Sequence, residues 1–231
     1  MGKILVIEGT DFSGKSTQYD ILLKRLYEEG FVVGSDSFPN YDSESSFFVK
    51  SYLGGLYGDD ANKIDPKTAS IFYTMDRYHS YMTRDWGKVY REGGDIVFAR
   101  YITSNVLHQA AKYSSWEEKK AYIDWLYDME CNVMGIPRED FTIFLDMPPY
   151  KAQELKKQRL KEQNGLTSSG GVIDIHENNI SHLISAYENA KQVGNYLGWK
   201  VVSCVDKNNE LKPIKEISEE IYTIAKSVLG Y

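Results

Sequence analysis

The feature that most constrains this chain is a glycine-rich stretch at residues 9–16, which reads G-T-D-F-S-G-K-S. It matches the pattern G-x-x-x-x-G-K-[ST], follows an apolar run at residues 4–7, and precedes a segment of helical periodicity that begins near Thr17. A strand, a glycine-rich loop and a helix in this order bring backbone N–H groups and a helix N-terminus to one point, where an anion is favoured. The stretch is therefore predicted to bind a nucleoside triphosphate.

Individual residues of this loop have expected roles. Gly9 is expected to turn the chain at the end of the strand, Lys15 to reach the β- and γ-phosphates, and the Ser16 hydroxyl to be a ligand for Mg²⁺. A glycine-rich turn that only caps a helix is the alternative, and the preceding strand argues against it. The residues predicted to hold the triphosphate are Gly9, Thr10, Asp11, Phe12, Ser13, Gly14, Lys15, Ser16 and Thr17.

Composition limits the class of protein. The 231 residues, 42% hydrophobic and 26% charged, suit one domain spanning residues 1–231. A net charge of −6 argues against a general nucleic-acid binder but allows a locally basic pocket. No run approaches the ~20 apolar residues that cross a membrane, and a strand at the very start leaves no room for a signal peptide. Cys131 and Cys204 are expected to be ordinary small apolar residues in a reducing cytoplasm.

Apolar runs alternate with helical segments along the chain. The predicted strands are residues 4–7, 31–33, 96–99, 142–145 and 200–204. This alternation is expected of a parallel sheet covered on both faces by helices. The long stretch at residues 42–91 is expected to form the walls of a pocket for an acceptor substrate. The apolar stripe of the helical stretch at residues 116–134 is expected to be part of the core or of a subunit contact.

A change of composition marks the segment at residues 158–176. Its glycine- and serine-rich run lacks apolar periodicity, and the basic residues Lys156, Lys157, Arg159 and Lys161 come before that run. Such a segment is predicted to be a lid, spanning about residues 156–176, that closes over phosphates and excludes water. A solvated loop is the alternative.

Together the motifs resemble those of thymidylate kinases, which are nucleoside monophosphate kinases of the P-loop class. The motifs are E-G-T-D-F-S-G-K-S-T (8–17), F-P (38–39), F-Y-T-M-D-R-Y (72–78), R-Y-I-T-S-N (100–105), L-D-M-P-P (145–149) and G-W-K-V-V (198–202). The loop alone occurs in any NTPase, whereas its acidic residue combined with R-Y-x-x-S-N is far more specific. The resemblance implies a three-layer α/β P-loop NTPase fold with a five-stranded parallel sheet, ATP-dependent phosphorylation of dTMP to dTDP, and Mg²⁺.

The same resemblance assigns roles to single residues. Asp11 would hold the sugar 3′-hydroxyl and help order Mg²⁺, or it is only a turn-stabilising residue. Tyr73 would stack on thymine and Arg77 would hydrogen-bond the base, the alternatives being a core aromatic and a surface ion pair. Arg100 would clamp the acceptor phosphate at a strand end, and His108 would disfavour a ribose. The acceptor site would comprise Asp11, Phe38, Pro39, Tyr41, Tyr73, Arg77, Arg100, Tyr101, Ser104, Asn105 and His108. The catalytic residues would be Lys15, Asp11, Arg100 and Arg159, and the metal ligands Ser16 and Asp11.

The chain departs from the family pattern at four positions. Ala99 stands where the family usually has Asp, Ser37 and Tyr41 stand where arginines are common, and Phe12 replaces the arginine or glycine of the loop. A transition-state arginine would therefore come from the lid, where Arg159 is the candidate. These departures leave two alternatives open, a kinase for another nucleotide such as dUMP and a nucleotide-binding protein whose chemistry has decayed.

The resemblance also implies a homodimer built on helices, while the net charge and the short apolar runs argue against a nucleic-acid or membrane partner. Tyr122, Trp125 and Met129 are candidates for the dimer surface because they share one side of the predicted helix.

Overall fold

The computed structural model of the chain describes residues 2–58, 63–162 and 180–231, and for residues 159–162 it describes the backbone alone. The strands are β1 (Ile4–Gly9), β2 (Gly34–Ser37), β3 (Ile96–Ala99), β4 (Phe141–Asp146) and β5 (Lys200–Ser203). They form one sheet in the order β2-β3-β1-β4-β5, and each neighbouring pair is parallel. The predicted five-stranded parallel sheet is therefore confirmed.

Helices separate these strands along the chain. They are α1 (Lys15–Glu28), α2 (Phe47–Leu53), α3 (Pro66–Thr83), α4 (Asp85–Arg91), α5 (Ile102–Gln109), α6 (Trp116–Tyr127), α7 (Pro149–Glu162), α8 (Ile180–Leu197) and α9 (Ile214–Leu229). A π-helical turn, Asp128–Val133, continues α6. Among the helices of the described residues, none is long and apolar enough to serve as a transmembrane segment.

The sheet is buried on both faces because most residues of its central strands are apolar. Ile4 and Val6 of β1 pack in one core with residues of α5, α6 and α8. Leu5 and Ile7 point the opposite way and pack with residues of α1 and α9. This alternation of side chains, with a helical layer on each face, produces the three-layer arrangement predicted from the sequence.

The second strand was predicted too early in the chain. Residues 31–33 precede β2, and the strand itself reads G-S-D-S. Phe31 stacks on Tyr231 with ring centroids 4.1 Å apart, and Val32 is 81% exposed. Phe31 and Val33 of the apolar run therefore pack in the core shared with α1 and α9, whereas the polar residues pair with β3 at the edge of the sheet. An edge strand needs no apolar alternation when loops and helices cover it with polar contacts.

Two further predictions need correction. Helix α7 runs through Glu162, so residues 156–162 of the predicted lid belong to a helix, while residues 163–179 lie outside the described residues. Tyr122 is 1% exposed and packs in the core, so it cannot belong to a dimer surface; Trp125 and Met129 are partly buried against the same core.

Candidate active site

The glycine-rich loop joins β1 to α1 at the carboxyl edge of the sheet. Two of its residues have a positive φ, 60° at Phe12 and 86° at Gly14, which turn the backbone toward the helix. Helix α1 begins at Lys15, and neither a side-chain cap at Gly14 nor an acidic residue in the first turn satisfies its first N–H groups. This end of α1 is therefore suited to bind an anion.

Gly9 has a structural role that differs from the predicted one. It is the last residue of β1 and its φ is not positive, so the turn is made at Phe12 and Gly14 instead. A Cβ at residue 9 would lie 2.5 Å from Ser13 Oγ and 3.3 Å from Leu145 Cβ. Glycine is needed here because the loop folds back closely over the strand ends.

The Lys15 side chain lies along the inside of the loop. Its ammonium group donates to the carbonyl oxygens of Gly9 at 2.7 Å and of Thr10 at 2.5 Å. Burial, together with the nearby charge of Arg100, lowers the pKa of Lys15 to about 7. The group is thus poised between its neutral and charged forms near neutral pH.

Two cavities flank the loop. One, of about 290 Å³, is lined by Asp11, Lys15 and Ser16 on the loop side and by residues of α3, β3 and α5 on the other. The second, of about 300 Å³, is lined by Phe12, Ser13, Gly14, Thr17, Gln18, Met147, Leu155, Gln158, Cys204, Leu211, Lys212, Ile214 and Ile217. The loop separates them, so two ligands that occupy the cavities would approach each other at the loop. Gly9 and Thr10 line neither cavity.

The first cavity gathers every residue predicted for the acceptor site. These are Asp11, Phe38, Pro39, Tyr41, Tyr73, Arg77, Arg100, Tyr101, Ser104, Asn105 and His108. Ser37, Leu53, Ala99 and Gln109 line it as well. The residues come from segments far apart in the sequence and meet because parallel strands end at one edge of the sheet. We call this cavity the acceptor cavity.

Arg100 is held rigidly at the end of β3. It has a positive φ of 64°, and its Nη2 donates to Asp11 Oδ1 at 2.5 Å. Burial opposes both charges, yet the pair stabilises them, so the pKa of Asp11 is held well below its usual range and that of Arg100 is raised. A side chain other than glycine in this backbone region is strained, and such strain is commonly found at functional sites.

Glu8 is a buried acid next to the loop that the sequence analysis did not assign. Its Oε1 accepts from the Gly9 N–H at 2.9 Å, and its Oε2 accepts from Thr103 Oγ1 at 2.9 Å and Ser104 Oγ at 2.6 Å. One carboxylate thus joins the start of the loop to the start of α5. Ser104, predicted to touch the acceptor, has its hydroxyl hydrogen committed to this contact.

Arg77 forms a buried ion pair rather than the surface pair considered above. It is 1% exposed, and its Nε and Nη2 donate to the two carboxylate oxygens of Glu130 at 2.8 and 2.5 Å. Burial opposes the charge of Arg77, but Glu130 outweighs it and raises the pKa of the arginine. Glu130 lies 53 residues away in sequence, and no motif in the sequence pointed to it.

The two predicted tyrosines contribute differently. Tyr73 lies on α3 beside Tyr52, with ring centroids 6.3 Å apart in an edge-on arrangement, and lines the acceptor cavity. Tyr101 is fully buried, stacks on Phe98, and donates its hydroxyl to the Pro137 carbonyl at 2.7 Å. The Tyr101 hydroxyl is therefore directed to another residue and not to a ligand.

A histidine pair lies next to Arg100. Arginine can only donate, so the 3.4 Å contact of its Nη1 with His108 Nε2 places the proton of a neutral His108 on Nδ1. His108 Nδ1 in turn lies 3.4 Å from His182 Nε2, and the two rings are stacked. Burial lowers the pKa of His182. His182 and Gln109, whose buried Oε1 has no hydrogen-bond partner, were not found from the sequence.

Comparison with known proteins identifies the family. The family model described as thymidylate kinase matches residues 7–193. The chain belongs to the thymidylate kinase family. A thymidylate kinase of Danio rerio is 22% identical over 226 residues, covering 97% of this chain and 93% of that one. A probable thymidylate kinase of Pyrobaculum aerophilum is 31% identical over 158 residues, covering 67% and 70%.

A solved structure agrees with the fold. The structure of thymidylate kinase from Candida albicans superposes with a TM-score of 0.67 at 20% identity, and the match covers 98% of this chain and 92% of that one. The predicted P-loop kinase fold and the predicted thymidylate kinase family are both confirmed.

Three of the four departures from the thymidylate kinase pattern lie at the acceptor cavity. Ala99 is the last residue of β3 and, with Ser37 and Tyr41, lines that cavity. Phe12 lines the other cavity, with Lys156 Nζ 5.2 Å from its ring centroid. The side chain of Arg159 lies outside the described residues, so its proposed part in catalysis stays a prediction.

The residues that could hold Mg²⁺ are oxygen donors on the loop. Among the described residues no group of three or more His, Cys, Asp or Glu side chains forms a metal site. Asp11 and Ser16 line the same cavity, and Asp11 uses one carboxylate oxygen for Arg100. One carboxylate and one hydroxyl fit Mg²⁺, which is commonly held by few protein oxygens together with substrate phosphates and water.

Proposed function

We propose that this chain transfers the γ-phosphoryl group of ATP to dTMP, giving dTDP. Membership of the thymidylate kinase family supports the reaction and the acceptor. The observation that carries the proposal within the structure is the position of the loop between two cavities, because phosphoryl transfer requires donor and acceptor phosphates to meet in line. Residues of the loop line both cavities, Asp11 the first and Phe12 the second.

The donor would lie in the second cavity, with its phosphates wrapped by the loop. The wall of this cavity contains apolar side chains, among them Met147, Leu155, Leu211 and Ile217, which suit a flat purine ring. Lys212 contributes a cation at the rim of the same cavity. The phosphate chain would then follow the loop N–H groups toward Lys15 and Ser16.

The acceptor would lie in the acceptor cavity with its phosphate toward Arg100. Asp11 holds the Arg100 guanidinium in one orientation, so little entropy is lost when the phosphate binds. Lys15 lines the same cavity and would place its positive charge beside the phosphate oxygens where donor and acceptor meet. Tyr73 would stack on the base. An acceptor phosphate is already ionised, so the transfer needs positioning and charge rather than a general base.

Mg²⁺ would be held by Ser16 and Asp11 together with the phosphates, and when bound it neutralises charge on the transferring group. The segment at about residues 156–176 would act as a lid and Arg159 as a transition-state cation. Both proposals rest on the composition of that segment, with basic residues followed by glycine and serine.

We also propose that the protein is cytoplasmic and a homodimer. Cys131 and Cys204 are both free thiols, as a reducing compartment favours. Instead of Tyr122, the dimer surface would be the apolar face of α2 and α3, where Phe47, Phe48, Ile71 and Met75 are 45–58% exposed. Light scattering should give the mass of a dimer, and Ile71→Glu should give the mass of a monomer. A monomeric wild type would contradict the proposal.

The reaction is tested by ADP release coupled to NADH oxidation, with dTMP, dUMP, dCMP, dGMP and dAMP as acceptors. Turnover of dTMP well above the others is expected. Lys15→Met should abolish turnover, whereas Lys24→Met, on an exposed face of the same helix, should not. Preference for another base would select the alternative kinase, and ATP binding without turnover would select the decayed protein.

A further inference from the structure

We propose that Glu130 is a positioning residue that sets the hydrogen-bonding polarity of the acceptor cavity. By fixing Arg77 and Asn105, it presents a donor and an acceptor in the order that suits a pyrimidine with a carbonyl at position 4 and an N–H at position 3. The inference rests on the proposed function only in taking a pyrimidine nucleotide as the ligand of this cavity.

Glu130 is completely buried, and its carboxylate accepts hydrogen bonds from two helices, α3 and α5. It lies in the π-helical turn after α6, and its exposed fraction is 0%. Its Oε1 accepts from Arg77 Nη2 at 2.5 Å, from Thr74 Oγ1 at 2.9 Å and from Asn105 Nδ2 at 3.4 Å, while Oε2 accepts from Arg77 Nε at 2.8 Å. A carboxylate with this many donors is fixed in place.

The first consequence concerns Arg77. Glu130 takes the Nε–Nη2 edge of the guanidinium, so the remaining donors are those of Nη1 and the second hydrogen of Nη2. Nη1 lies 3.5 Å from the Tyr101 carbonyl oxygen, which is the only other hydrogen-bond partner of the Arg77 guanidinium within the described part of the chain. Since Arg77 lines the acceptor cavity, it can present only donors to a base.

The second consequence concerns Asn105. Its amide lies 3.4 Å from Glu130 Oε1 and 3.4 Å from the Ser70 carbonyl oxygen. Both neighbours are acceptors, so only the NH₂ side of the amide can face them, and Oδ1 is directed the other way. Asn105 lines the acceptor cavity, where it therefore offers an acceptor. The unpartnered Oε1 of Gln109, in the same cavity, adds a second acceptor.

These two groups match one kind of base edge. Thymine and uracil carry an accepting O4 beside a donating N3–H, which pair with Arg77 and Asn105. Cytosine carries the reverse, a donating amino group at position 4 and an accepting N3, so both contacts become repulsive. A site built from fixed hydrogen-bonding groups rejects a ligand of opposite polarity strongly because buried groups are left unpaired. Neither residue distinguishes thymine from uracil.

The test is the ratio of dissociation constants for dCMP and dTMP, measured by titration calorimetry on the full chain. We expect this ratio to fall by about tenfold or more in Glu130→Gln, because the amide that replaces the carboxylate has no charge and one accepting oxygen instead of two. Loss of the carboxylate partner leaves the Arg77 charge buried and can unfold the protein. Glu130→Asp is the second variant, because it keeps the charge yet withdraws the carboxylate from Arg77 and Asn105.

The controls separate positioning from a structural role. The dUMP-to-dTMP ratio and the affinity for ADP should stay unchanged in both variants. Glu139→Gln removes another buried acid, bonded to Tyr127 and not to Arg77, and should leave the dCMP-to-dTMP ratio unaltered. Melting curves show which variants are folded.

An unchanged dCMP-to-dTMP ratio in folded Glu130→Asp overturns the inference, as does a wild type that binds dCMP as well as dTMP. Because binding is measured, the result stands whether or not phosphoryl transfer occurs. Absence of dTMP turnover with intact discrimination would count against the proposed function alone.

Discussion

The pKa of Lys15 makes a quantitative prediction for nucleotide binding. Because that pKa is about 7 in the free protein, the ammonium is about nine-tenths neutral at pH 8 and about one-tenth neutral at pH 6. Phosphate oxygens favour the charged form, so a bound nucleotide raises the pKa again. On ADP binding, Lys15 should therefore take up about 0.9 proton per site at pH 8 and about 0.1 at pH 6.

The direction in which pH changes the affinity for nucleotide follows from the same protonation of Lys15. Above pH 7 the free protein must gain a proton to bind, so the dissociation constant should rise about tenfold per pH unit, and about fiftyfold between pH 7 and pH 9. Nucleotide phosphates and histidines have pKa values near 6 to 6.5 and contribute little in this range. The weakening is therefore assigned to Lys15.

The assay is calorimetric titration of ADP at pH 6, 7 and 8 in two buffers of different ionisation enthalpy, which gives the number of protons taken up. Lys15→Arg is the control, because arginine stays protonated throughout and should abolish the uptake. Uptake below about 0.2 proton at pH 8, or a dissociation constant that is flat from pH 7 to 9, would refute the reasoning.

Three further predictions concern other positions. Ala99→Asp should raise turnover at low Mg²⁺, because it adds a carboxylate at the end of β3 in the acceptor cavity, and it is measured by Mg²⁺ titration against Ala99→Asn. Gly87→Ala should lower the free energy of unfolding in urea by about 3 kcal/mol, since its Cβ would lie 2.0 Å from the Tyr81 carbonyl oxygen. Burial raises the pKa of Glu139 to about 7, so the wild-type protein loses stability as pH rises from 4.5 to 7 and the buried carboxyl group ionises. Glu139→Gln cannot ionise, and its free energy of unfolding should rise relative to wild type by up to about 3 kcal/mol over this range.

Each has a contrary result. If Ala99→Asp and Ala99→Asn behave alike at every Mg²⁺ level, the added charge does not reach the metal. Gly87→Ala with an unchanged urea midpoint would mean that α4 shifts without cost. A difference between wild type and Glu139→Gln that does not vary with pH would show that Glu139 has an ordinary pKa in the folded protein.

The parts of the site that the sequence predicted are those set by local patterns. The loop at residues 9–16 and the segment after β3 are short motifs, and their placement at strand ends brings them together in any parallel sheet. The acceptor cavity therefore contains all the residues that were predicted for the acceptor site. Family and fold followed from the same motifs.

The parts that the sequence missed depend on contacts between distant segments. Glu130 pairs with Arg77 across 53 residues and lies in a π-helical turn, whose extra residue breaks the regular period of α6. His182 meets His108 across 74 residues. The edge strand β2 was misplaced because its G-S-D-S residues are polar, and Asp36 is stabilised by Ser80, which only the fold brings near.

The carboxylate of Glu8 joins the loop that would hold the donor to the helix that carries Ser104 and Asn105. Substitutions at the beginning of α5 that change the preferred acceptor would therefore change the affinity for the donor at the same time. Variants that change the base while sparing ATP should arise in α3, on the wall of the cavity that this shared anchor does not reach, or at Glu130, which lies behind that wall and pairs with Arg77.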